Sequence, residues 1–328
     1  MRKNSNTYDG CSGRPKPMLV CLVSMLLSAF TAPPLVAADP PIIALRFAPG
    51  GTTFVAGSTA GVRSNRWPDL GPINELTTRI NAPHDIAFSP LGDKLAIAGG
   101  TPGEDGVVEV LEWPSGDSLA IIDEHFDTVM SVTWLDDSRV ALASLDHGIT
   151  VADASNGQVA FTLHGHSRGV TTLCFLPDDD LLVSSGVDQS LRVWNTKTGE
   201  LIHSLNQHTR PVNALALRPN HPGLAVVASA SDDRTVRFWQ PKIGRMMRFV
   251  RLDSRPLSIG WLPDGSRLIA ACVDGNIRVV DPETVQVVSV RPALEGWAYC
   301  VAVHSPTGEV VVGGDGGEVV RMTGLGME

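Results

Sequence analysis

His166, Ser184 and Asp188 are the residue types of a hydrolase, with a hydroxyl to attack, an imidazole to take its proton and a carboxylate to orient the ring. Their spacing argues against that chemistry. Ser184 stands only four residues before Asp188, inside what reads as one hairpin, and the same types recur as His208, Ser229 and Asp233. A catalytic nucleophile has no reason to repeat with the structural unit of the chain, whereas a hydrogen-bonded set inside the fold does. Each set also ends in a tryptophan, Trp194 or Trp239, whose indole N–H needs an acceptor once buried.

The elements that must position these residues are strands. Val170 to Phe175 is apolar and β-branched, Pro177-Asp-Asp-Asp180 is turn chemistry, and Leu181 to Ser185 is a second strand. Gly186 to Ser190 turns into a third strand, Leu191 to Trp194, and Thr-Lys-Thr-Gly-Glu leads to a fourth, Leu201 to Leu205. One unit is therefore a four-stranded antiparallel sheet of about 42 residues, the length of a propeller blade. The turn after the first strand recurs at Pro49, Pro90, Asp136, Pro177, Pro219, Pro263 and Pro306. Large residues precede these turns: Phe47, Phe88, Trp134, Phe175, Leu217, Trp261 and His304, mostly apolar as packing between blades requires. The fold class expected is all-β, a seven-bladed propeller over residues 39–328. A Gly-rich insertion, Thr101 to Gly106, lengthens the second unit in the turn between its second and third strands.

The unit resembles the WD-repeat family, with Gly165-His166 as its Gly-His pair and Trp194-Asn195 where that family has Trp-Asp. The resemblance implies a chain of hydrogen bonds in which Trp194 donates to Ser184, Ser184 to His166 and His166 to Asp188. The fifth unit carries the whole set as His208, Ser229, Asp233 and Trp239. Partial sets remain elsewhere. The third unit keeps His125 and Asp146 with Leu142 and Ala152 at the hydroxyl and Trp positions, and the sixth keeps Asp274 with Val280 for Trp. The second has Leu111 at the Trp position; the first and seventh have Arg66 and Arg321 there, and Asp315 occupies the turn of the seventh.

Composition sets the remaining bounds. Residues 1–38 place Arg2, Lys3, Arg14 and Lys16 ahead of an apolar run from Met18 to Phe30 and end in Val36-Ala37-Ala38, which reads as a secretory signal peptide. The run of about thirteen residues is shorter than the roughly 20 that span a bilayer, so a secreted or periplasmic protein with no membrane span in the mature chain is expected. The net charge of −9 becomes −12 once those four cations and Asp9 are removed, and an acidic body is a poor nucleic-acid binder. Cys174, Cys272 and Cys300 remain, all in strand-like runs, and read as buried core side chains. Neither Cys-x-x-Cys nor His-x-x-x-His occurs, so no zinc site and no cofactor is implied.

Two function classes stand. The resemblance implies a non-catalytic interaction scaffold with protein partners on the propeller face, where Arg168, Arg210, Arg255 and Trp297 form an arc on successive inter-blade loops. The alternative is a secreted propeller enzyme of lyase or lactonase type with a metal held on loops. A channel metal would need polar side chains at the inner strand starts, read here as Val129, Val170, Val212, Pro256 and Tyr299. The chain end leaves a third strand, Glu318 to Met322, and little beyond it, so the seventh blade is expected either to have three strands or to borrow a piece from Pro34 to Pro40.

Overall fold

The computed structural model describes residues 39–326, and the segment read as a signal peptide lies outside the described residues. Seven antiparallel sheets follow one another along the chain, six of four strands and the last of three, each a simple meander: a seven-bladed β-propeller. In blade 4 the strands, a to d from the channel outward, are Val170–Leu176, Leu181–Gly186, Leu191–Asn195 and Leu201–Leu205. Among the described residues helix occurs only as short 3-10 turns, and no helix is long and apolar enough to cross a membrane. The insertion in blade 2 extends a hairpin, with Lys94–Thr101 and Asp105–Glu112 paired to their tips.

Blades stack face to face, so both faces of their inner strands are buried and alternate residues serve different neighbours. Leu182 and Trp194 pack on blade 3 with Ala141, Ile149 and Val151. Leu181, Val183, Leu191 and Val193 pack on blade 5 with Val212, Val227 and Trp239. The large residues before the first turns add stitches between blades. Trp134 donates its indole N–H to Ala87 O at 3.0 Å and Trp261 donates to Ala216 O at 3.1 Å, each reaching strand a of the preceding blade.

Strand a of every blade neighbours those on either side, blade 7 meeting blade 1. Blade 7 has three strands, Ala298–Val303, Val310–Gly314 and Val319–Met322. Its seam with blade 1 is closed by packing: Cys300, Ala302 and Val311 meet Ile42, Leu45 and Phe54. Ile42 N–H donates to Gly314 O at 3.0 Å, and the His304 Nε2 lies 2.9 Å from Gly51 O. The His304 ring also sits 5.0 Å from Phe47 and 5.1 Å from Trp67; register puts the apolar Val303, opposite Val310, at the place of Phe175, so His304 lies one residue beyond the position the sequence assigned it.

Register corrects further sequence assignments. In blade 4 the Trp position is the residue of strand c opposite the strand b residue two before the hydroxyl position, Trp194 opposite Leu182, two before Ser184. The same geometry selects Asn65, opposite Phe54, and Met322, opposite Val310, so Arg66 and Arg321 are each one residue off. A single-residue slip turns a side chain to the other face of its strand. Arg66 accordingly points out to pair with Asp69, and Arg321 pairs with Glu309 while lying over the Trp67 ring. The same parity applies to the channel. Val129, Val170 and Val212 are fully buried between blades, as is Pro256, and the next residues along line the channel: Met130, Thr171, Asn213 and Leu257. Tyr299 does line it, with His84, Asp85 and Arg46. The channel is therefore more polar than the strand-start reading implies.

Candidate functional site

Strand b brings a hydroxyl, strand c a tryptophan, and the loop from the preceding strand d a histidine to one point inside blade 4. Trp194 Nε1 donates to Ser184 Oγ at 2.8 Å, Ser184 lies 2.7 Å from His166 Nε2, and His166 Nδ1 lies 2.9 Å from Asp188 Oδ2. The ionised carboxylate only accepts, so Nδ1 carries the proton and Ser184 donates to Nε2. Asp188 also accepts from Ser167 N–H and from the Ser190 hydroxyl, which ties the loop to the turn. Gly165 is dictated by close approach: a Cβ there would come 2.9 Å from the Trp194 ring and 3.1 Å from Arg192 Nη1. Blade 5 repeats this, with Trp239 to Ser229 at 2.8 Å, Ser229 to His208 at 2.7 Å and His208 to Asp233 at 2.8 Å.

Electrostatics follow from these contacts. Burial works to raise the Asp188 and Asp233 carboxyls, but hydrogen bonds from His166 and Ser190, or from His208 and Thr235, outweigh it and hold both well below the ordinary range. Burial lowers the His208 pKa, with Asp233 only partly opposing it. Ser184 and Ser229 are fully buried, and each is occupied by a tryptophan and a histidine. A hydroxyl so placed has no open side on which a substrate carbonyl could sit, and the sets act as fasteners.

The other blades use the same positions differently. In blade 3, His125 Nδ1 meets Asp146 Oδ2 at 2.8 Å, while His125 Nε2 has no partner because Leu142 and Ala152 replace the hydroxyl and the indole. In blade 6, Asp274 holds Arg278 with two bonds of 3.0 and 2.7 Å, and Asp253 takes the guanidinium Nε at 2.6 Å. Arg278 is 2% exposed, so an ion triad replaces the imidazole chain. In blade 7, Asp315 sits one residue earlier in the turn than Asp188 does in blade 4 and accepts the Trp297 N–H at 2.8 Å, with no histidine beside it. In blade 2 the buried Glu109 binds Thr78 Oγ1, Arg79 N–H and Ser118 Oγ, at 2.7 to 2.8 Å. Sequence reasoning passed over Glu109, Asp253 and Arg278. The available signal was position, since Glu109, Arg192, Arg237 and Arg278 occupy one register site of strand c.

The loop arc divides in two. Arg168 and Arg210 are exposed, and among the described residues neither has an ion pair. Arg255 and Trp297 come together: the guanidinium lies 5.7 Å from the indole centroid and 3.9 Å from the Asp232 carboxylate. Trp297 remains 42% exposed. Among the described residues no group of three or more His, Cys, Asp or Glu side chains is placed to hold a metal ion. Cys174, Cys272 and Cys300 are free and buried, and burial pushes the Cys174 and Cys272 thiols up to about 12 and Cys300 higher still, so they are not nucleophiles.

Comparison with known proteins agrees with this geometry. Residues 157–195, 199–240 and 253–281 match the family model for the WD domain, G-beta repeat. These stretches include both complete sets and the ion triad of blade 6. No curated protein matches the chain.

Proposed function

Because the chain folds as a seven-bladed β-propeller and three of its repeats match the WD-repeat model, we propose that it works as a non-catalytic scaffold that captures a protein partner on the face carrying its inter-blade loops. One observation carries this reading. The Ser, His and Asp of blades 4 and 5 are closed into buried hydrogen-bonded sets, whereas Arg168 and Arg210 stand exposed on that face and Arg255 is stacked on a half-exposed Trp297. Arginine and tryptophan dominate protein interfaces because each combines a flat apolar surface with directed donors. Exposed cations without carboxylate partners are anomalous on a chain of net charge −9, and an acidic partner surface would complement them.

The place of action proposed is outside the cytoplasm, in a periplasm or the medium, on the strength of the basic, apolar and small-residue order of residues 1–38. Mass spectrometry of the chain recovered from the envelope or medium tests this. A mature N-terminus at Asp39 supports it, and a full-length chain confined to the cytosol sinks it. The scaffold reading is tested by affinity capture from the envelope fraction with the wild-type chain and with Arg168→Glu/Arg210→Glu/Arg255→Glu. Loss of a specific captured protein in the variant supports the arc as the contact. Capture at wild-type yield places the contact elsewhere.

A further inference from the structure

Blade 3 lacks, at one place, everything that covers the turn aspartate in its neighbours. Four residues after that aspartate, on strand c, blades 4, 5 and 6 carry Arg192, Arg237 and Arg278, and blade 3 carries Thr150. Arg237 Nη2 lies 3.5 Å from Asp233, and Arg278 holds Asp274 bidentately; in blade 4 Arg192 lies against Gly165 instead. Two residues after the aspartate, Ser190 and Thr235 donate their hydroxyls to it at 2.8 and 2.6 Å, and blade 3 has Gly148. Ala152 stands in place of the indole.

The space left by these side chains is a groove of about 510 Å³ lined by His125, Phe126, Asp146, Gly148, Thr150 and Glu124. The Asp146 side chain is 17% exposed against 5% for Asp188 and Asp233. The His125 side chain is 3% exposed by the same measure, and its Nε2 has no hydrogen-bond partner. His125 Nδ1 meets Asp146 at 2.8 Å and holds that carboxylate at the groove wall. Phe126 stands at the lip, 81% exposed.

We propose that this groove is a receptor for an arginine side chain presented by a peptide or protein ligand. The chain itself supplies the precedent, since blade 6 and blade 5 place a guanidinium against the equivalent carboxylate. A guanidinium matches the wall group by group: its N–H fork faces the Asp146 carboxylate, as Arg278 faces Asp274, and its plane can lie on Phe126. Glu124 adds a second carboxylate at the rim. An ammonium group offers neither the fork nor the flat face.

The test uses the full chain and N-acetyl-arginine methylamide, with the Phe126 and Gly148 backbone amides followed by heteronuclear NMR, since both donate to Asp146. Saturable shifts at these amides are expected, with the lysine analogue weaker by roughly tenfold and the citrulline analogue silent. Thr150→Arg supplies the missing side chain from within and is expected to abolish the shifts while the amide spectrum stays that of the folded chain. No saturable shift with the arginine probe overturns the proposal. So do equal binding of the lysine or citrulline analogue and undiminished binding by Thr150→Arg. This readout is independent of the loop arc, so capture through Arg168, Arg210 and Arg255 can succeed or fail without affecting it.

Discussion

The indole N–H of Trp194 reaches the hydroxyl of Ser184 across 2.8 Å in a site where Ser184 is fully buried and Trp194 is 2% exposed. The contact ties strand c to strand b, and through His166 it ties both to the loop that enters the blade. It is a fastener between two adjacent, largely buried strands and the loop that enters their blade.

Removing that donor while keeping the ring should cost stability. Trp194→Phe and Trp239→Phe are each expected to destabilise the domain by about 1–3 kcal/mol, since Ser184 or Ser229 loses a buried partner. Thermal denaturation reads the effect. Unchanged melting in both variants would mean that the hydrogen-bonded sets contribute nothing. His166→Ala should act in the same direction.

Blade 6 makes a parallel prediction from charge. Arg278 is almost wholly buried between Asp253 and Asp274, and Arg278→Met leaves the two carboxylates without their cation. A loss of about 1–3 kcal/mol is expected, moderated by the exposure of Asp253. Arg66→Ala, which removes an exposed pair with Asp69, should stay within about 0.5 kcal/mol. Equal melting temperatures for the two variants would refute the structural weight given to the triad.

Acid should weaken the domain in two stages of the same sign. Burial holds the His208 pKa below its ordinary 6.5, so the folded state binds fewer protons than the unfolded chain as pH falls below that value, and stability drops. Asp146 is held at about 2 against 3.8: burial opposes this, but hydrogen bonds from His125, Gly148 N–H and Phe126 N–H prevail. Its contribution is present above pH 3.8 and lost as pH falls toward 2. Melting temperature should therefore fall from neutral pH downward, and His208→Gln should flatten the first stage only. A stability maximum near pH 5 would contradict this.

Partner capture should depend on salt through the arginines and not through the tryptophan. Exposed charges are screened beyond about 8 Å at 0.15 M salt, so wild-type capture should weaken between low and high salt. Trp297→Ala should lower yield at every salt concentration without changing that dependence. Arg168→Glu and Arg210→Glu should leave melting nearly unchanged, because neither side chain has an ion pair to lose among the described residues. Salt-independent capture by the wild type would remove the electrostatic part of the proposed interface.

What the sequence determined by itself is whatever repeats within one blade. Turn residues, alternating apolar strands and the recurring Gly-His, Ser, Asp and Trp spacing all act over a few tens of residues, so they specify seven blades and single out the residues that hydrogen-bond in blades 4 and 5. For the seventh blade the sequence left two closures open, and among the described residues the structure has three strands. Only the tertiary structure decided matters of parity and of neighbourhood. Asn65 and Met322, not Arg66 and Arg321, take the Trp position because register is set by pairing with strand b and by packing on the next blade. The channel wall belongs to Thr171 and Asn213, not to Val170 and Val212, for the same reason. Arg255 and Trp297 meet because successive blades place their loops side by side, and the groove over His125 exists because three side chains of one blade, Gly148, Thr150 and Ala152, are smaller than their counterparts. Each of these depends on which residues face one another across strands or blades, and strand spacing along the chain leaves that undetermined by a single residue.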